Sequence, residues 1–174
     1  MLRRRLLVAM GGTLASAIWA PVQAADESFA LTSIALYLPE QALEERGPSA
    51  AVLSAYIEAL IAQAKTALAA APKQRGVSGS IVVGLKPPAQ SRVWIMASNA
   101  GAQTALTALL KASLEATSPP AVKNWNAFAL NFNAWGGGPA VAATLPVPDE
   151  WRRALDAQGG GMLPDSALSA IWPN

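Results

Sequence analysis

From Ser49 to about residue 70, apolar side chains return at steps of three and four, at Val52, Leu53, Tyr56, Ile57, Leu60, Ile61, Ala64 and Leu68. That period belongs to a helix with one apolar stripe, and a stripe of this length must lie against a second apolar layer. The neighbouring segments can supply it. Ser28 to Leu38 reads as a strand carrying Phe29, Leu31, Ile34, Leu36 and Leu38, and its imperfect alternation predicts a bulge or burial on both faces. Pro39 to Gly47 is charged and predicts a helical turn or loop. Beyond Pro72 and Gly76, Ser80 to Lys86 predicts a strand, Pro87-Pro88-Ala89-Gln90 a turn, and Arg92 to Met96 the returning strand of a hairpin.

Ser98 or Asn99 can cap a second helix, whose stripe of Ala102, Leu106, Leu109, Leu110, Ser113 and Leu114 ends before Pro119-Pro120. Trp125 to Trp135 is the last strand, with Phe128, Leu130 and Phe132 on one face and Asn131 and Asn133 on the other. The order strand, helix, strand, strand, helix, strand predicts an α+β domain over residues 26–135. Its simplest form is a small antiparallel sheet with two helices packed on one face, the ferredoxin-like βαββαβ arrangement. Residues 136–174 change character, with Gly136-Gly137-Gly138-Pro139, Leu145-Pro146-Val147-Pro148 and Gly159-Gly160-Gly161. This is a Gly/Pro-rich C-terminal tail. Within it, Asp149 to Gln158 and Asp165 to Trp172 can form short helices too brief to stand alone. The tail either docks through Trp151 and Trp172 or awaits a partner.

Residues 1–25 read as a secretory signal peptide. Arg3, Arg4 and Arg5 precede an uncharged stretch from Leu6 to Ala20, and Pro21-Val22-Gln23-Ala24-Ala25 offers the small residues a signal peptidase requires. The apolar stretch falls short of the roughly 20 residues that span a bilayer, which favours removal over anchoring. The expected product is periplasmic or secreted, with no transmembrane segment after cleavage. The chain has 13 Lys and Arg against 11 Asp and Glu, and losing those three arginines reverses the excess. No basic stripe remains, so nucleic acid is not an expected partner.

The chain has no histidine and no cysteine. The usual general base, the usual nucleophile and the usual transition-metal ligands are therefore missing, and neither a disulfide nor a metal staples the fold. No lysine follows a serine at the spacing of a Ser-Lys nucleophile, the glycine runs lack the Lys-Ser or Lys-Thr of a phosphate loop, and no calcium loop occurs. Carboxylates remain, and the candidates among them are Glu40, Glu44, Glu45, Glu58, Glu115, Asp149 and Glu150. Their settings read as a solvated turn, helix flanks and a helix start rather than paired acids across a cleft. No catalytic residue, metal ligand or cofactor is expected.

The stretch from Gly76 to Trp135 resembles the C-terminal domain of the TonB family. The matching residues are Val77-Ser78-Gly79-Ser80-Ile81-Val82-Val83-Gly84-Leu85, Arg92-Val93-Trp94-Ile95-Met96-Ala97-Ser98, the leucines of the second helix and Phe128-Ala129-Leu130-Asn131-Phe132. The resemblance implies a periplasmic protein-binding module that adds an edge strand to a short peptide of an envelope partner.

Alternation places Ile81, Val83, Leu85, Val93, Ile95, Phe128, Leu130 and Phe132 under the helices. Val82, Arg92, Trp94, Met96, Trp125, Asn131, Asn133 and Trp135 are then sent to the opposite face. Tryptophan and arginine with asparagine form a recognisable binding composition, and Arg92, Trp94, Met96, Trp125, Asn131, Asn133 and Trp135 are the candidate binding residues. The other reading is that the tail folds over this face. The expected function is a non-enzymatic protein-binding module of the cell envelope, of accessory, transport or immunity type, working through the open sheet face or an edge strand. A cell-wall glycan-binding protein, or a carboxylate-dependent glycan hydrolase, is the alternative.

Overall fold

In the computed structural model, residues 28–72, 75–98, 100–137, 145–157, 159 and 169–173 are described. The expected signal peptide lies outside them. Eight elements follow in order: β1 (Phe29–Leu36), α1 (Glu40–Arg46), α2 (Ala50–Ala70), β2 (Val77–Lys86), β3 (Gln90–Ala97), α3 (Ala100–Glu115), β4 (Asn126–Ala134) and α4 (Asp149–Ala157). The four strands form one antiparallel open sheet in the order β1-β4-β2-β3. The α+β reading therefore stands, and the charged segment after β1 is a short helix.

Local chemistry sets the element ends. Ser49 caps α2 by accepting the amide of Val52, at 3.4 Å. Pro87 and Pro88, joined by a cis peptide bond, make the turn between β2 and β3. In β1 the pairing shifts between Leu31 and Ser33, leaving Thr32 as an extra residue. Phe29 and Leu31 before this bulge, and Ile34 and Leu36 after it, all pair with β4 residues on the helix side. The irregular alternation in the sequence is the trace of that bulge.

The core lies between the sheet and the helical layer. Tyr56, Ile57, Leu60, Ala64 and Leu68 of α2 and Leu106, Leu110 and Leu114 of α3 pack on Ile81, Val83, Leu85, Val93, Ile95, Phe128, Leu130 and Phe132. These are the strand residues that alternation assigns to the roofed side. By length and composition α2 is the one described helix long and apolar enough to cross a membrane, and here one stripe of it packs on the sheet, with Leu60, Ala64 and Leu68 fully buried. The roof stops short of the sheet's outer margin, and Ile34 and Leu36 of β1 remain 44% exposed.

Trp135 corrects the alternation argument. It is 7% exposed and belongs to the helix-side core, not to the opposite face. The strand ends at Ala134, and at Trp135 the backbone turns to φ +49, so the alternation that governs the strand no longer applies.

Candidate functional site

The sheet face turned away from α2 and α3 is laid out in rows by strand register. One row runs Ala30, Asn133, Ser78, the next Ser33, Asn131, Ser80, Met96, and the next Ala35, Ala129, Val82, Trp94. Arg92 follows, opposite Gly84. In the first two rows the serine and asparagine side chains bond one another across the strands. Ser78 donates to Asn133 Oδ1 and Ser80 to Asn131 Oδ1, both at 2.7 Å, while Asn131 Nδ2 donates to Ser33 at 3.0 Å. Asn131 and Asn133 thus lie on the expected face, with their carbonyl oxygens spent on binding the neighbouring strand.

The apolar rows are covered by the tail. Trp151 of α4 is 2% exposed and packs with Leu155 over Val82, Ala127 and Ala129. Its ring meets Trp94 edge to face at 5.2 Å and Tyr37 at 5.4 Å. Glu150, in the first turn of α4, accepts from Trp94 Nε1 at 2.7 Å and from Arg92 at 3.0 Å. With both side chains about one-third exposed (33% and 35%), the Arg92–Glu150 pair contributes at most about 1 kcal/mol, so Trp151 burial dominates the docking. Arg92 also donates to the carbonyl of Ile171 at 3.0 Å. Trp125 stacks edge to face on Trp172 at 5.6 Å, and Lys86 sits against both rings while donating to the carbonyls of Trp172 and Pro173. Of the two readings of the tail, docking through Trp151 and Trp172 is the one observed.

Two buried tyrosines, Tyr37 against the tail and Tyr56 in the helix-side core, give the fold a pH signature. The Tyr37 hydroxyl donates to the carbonyl of Pro146, and burial pushes the Tyr37 pKa upward; burial raises that of Tyr56 as well. Both groups keep their protons in the folded chain at pH values where an unfolded tyrosine, of pKa about 10, has lost its own. Their stabilising effect is complete below about pH 10 and is lost as pH climbs from there toward the folded values. The urea midpoint is expected to fall as pH rises above about 10. The double substitution Tyr37→Phe, Tyr56→Phe should flatten that part of the profile, and an unchanged slope would refute the assignment.

Between α3, α4 and the outer edge of β3 lies a groove of about 640 Å³. Arg92, Trp94 and Met96 line it with their β3 neighbours, with Gln103, Thr107 and Lys111 of α3, and with Pro148, Asp149 and Glu150. Among the described residues no strand lies beside the β3 edge at its floor, and side chains of α3 take that place. The Gln103 amide accepts from Ala97 N–H at 2.7 Å and donates to the carbonyl of Ile95. These are the two contacts that one residue of a parallel strand would make with the residues flanking Met96. Lower down, Glu115 accepts from Val93 N–H at 3.1 Å and Lys111 donates to the Val93 carbonyl at 2.9 Å. Lys111 and Glu115 are ion-paired with each other, with side chains 40% and 31% exposed.

Of the sequence candidates, Arg92, Trp94 and Met96 come together at the groove, Trp125 stands beside the docked tail, and Asn131 and Asn133 lie in the polar rows. Trp135 is elsewhere. Gln103 and Lys111 are not among the binding candidates of the sequence, and Glu115 enters there only as a carboxylate on a helix flank. Their signal is a polar stripe, Gln103, Thr107, Lys111, Glu115, running one position behind the apolar stripe Ala102, Leu106, Leu110, Leu114. Among the described residues no group of three or more acidic side chains could hold a metal. Comparison with family models, with curated proteins and with solved structures gives no match to this chain.

Proposed function

We propose that this chain is a non-enzymatic binding module of the cell envelope, exported by its first 25 residues, that takes an extended segment of another envelope protein as an added strand on β3. The observation carrying this reading is the Gln103 amide, which makes on the β3 edge the contacts of a strand residue and is held there by one flexible side chain. A peptide main chain supplies the same donor and acceptor at every second residue, so exchange costs no hydrogen bonds and gains those that side chains cannot reach. Arg92, Trp94 and Met96 on one wall and Thr107 and Lys111 on the other are positioned to contact alternate side chains of the segment. The export reading is supported by Arg3, Arg4, Arg5 and the uncharged stretch behind them.

Glycan recognition loses the feature that recommended it. The rings of Trp94 and Trp125 are packed against Trp151 and Trp172, and Trp135 is in the core.

Selection of random displayed peptides on the purified protein, with amide shifts mapped by NMR, tests the proposal. Selected peptides are expected to move the amides of Val93, Ile95 and Ala97. Gln103→Ala removes the internal competitor and should tighten binding of the same peptides about fivefold, the equivalent of one hydrogen bond of about 1 kcal/mol. Failure to select any peptide, or shifts that avoid β3, would overturn it.

A further inference from the structure

The two margins of the sheet are treated differently. Whereas α3 side chains occupy the edge of β3, β1 has β4 as its one strand partner among the described residues, and Thr32, Ser33, Ile34 and Leu36 are exposed. Natural edge strands are commonly protected by lysine, proline, a bulge or a covering element, and the bulge of β1, at Thr32, lies outside the stretch from Ile34 to Leu36. From Ser28 to Leu38 there is no charge and no proline.

We propose that β1 pairs antiparallel with β1 of a second copy of this chain, about a twofold axis at Ala35. The backbone sets the register. Tyr37 N–H donates to the carbonyl of Ala127, so the main chain at Tyr37 faces β4, and two residues back so does that of Ala35. Ile34 and Leu36 then present N–H and C=O to the open side. A twofold at Ala35 sets Ile34 opposite Leu36 of the second copy, and Leu36 opposite its Ile34. Both are hydrogen-bonded pairs, and between them they make four main-chain bonds.

Side chains fit the same register. Ile34 and Leu36 are on the same sheet face and each is 44% exposed, so every copy covers with one the apolar surface the other leaves bare. Charge favours a like partner over an unlike one. An uncharged strand meets no repulsion from its own copy and offers a charged strand nothing to pair with.

Sedimentation equilibrium of the purified protein up to millimolar concentration is expected to give twice the chain mass. Ile34→Lys and Leu36→Glu, each alone, should be monomeric with unchanged circular dichroism, since both positions are exposed. Mixed together they should recover the dimer, because residue 34 of one copy faces residue 36 of the other. A monomeric wild type overturns the proposal without reference to the variants. So does a mixture that stays monomeric, or single variants as dimeric as wild type. The peptide groove lies on the opposite margin, so neither result bears on it.

Discussion

Gly79→Ala is expected to lower the unfolding free energy by about 3 kcal/mol or more, a large share of the about 5–15 kcal/mol that holds a typical domain together. Gly79 sits in a central strand, between Ala97 and Phe132 in register. A methyl group there would lie 2.5 Å from the Met96 carbonyl oxygen and 2.8 Å from the Phe132 ring. The oxygen belongs to the backbone of the neighbouring strand and cannot swing aside. Phe132 is fully buried and stacked on Phe29 at 5.1 Å, so displacing it moves the core as well. Relief would require β2 and β3 to part, which breaks the ladder beneath the candidate groove. Urea titration followed by far-UV circular dichroism reads the loss directly. A midpoint equal to that of wild type would mean that β2 and Phe132 are not held this close.

The second large effect is local. Truncating a buried tryptophan to alanine costs about 3–5 kcal/mol, and for Trp151 that cost falls on the docking of α4. An isolated helix shorter than about 12 residues is marginal in water, so α4 without its anchor is expected to lose its structure. Hydrogen exchange of Trp151→Ala should show amides 149–157 at unprotected rates while those of β2 and β4 keep their protection. Leu60→Ala, on the roofed side, should instead lower protection throughout. If amides 149–157 stay protected in the Trp151 variant, the tail is held by something other than this ring.

Much of the architecture was legible because hydrophobic period is a local property. The stripe from Val52 to Leu68 and the alternation through Phe128, Leu130 and Phe132 gave elements, roofed face and fold class. Even the bulge at Thr32 left its mark, as a break in phase between Leu31 and Ile34. What could not be read locally was decided by a single dihedral or by a distant partner. Trp135 follows the parity of Asn133 until its own φ turns positive. Whether the tail covers Trp94 depends on Glu150 and Trp151 meeting residues more than fifty positions earlier, and no periodicity encodes such a meeting. The groove was missed for a related reason. Gln103, Lys111 and Glu115 look like an ordinary solvated flank until the edge of β3 is seen beside them.

The unequal margins also limit how far copies of this chain can assemble. A sheet bare on both sides can recruit neighbours indefinitely, and the product is a fibre. Here the far margin of each copy lies in the groove beside α3 and α4, where Gln103, Lys111 and Glu115 already occupy the main chain of β3. Pairing through β1, as proposed, therefore closes at two copies and leaves no second bare margin from which to grow.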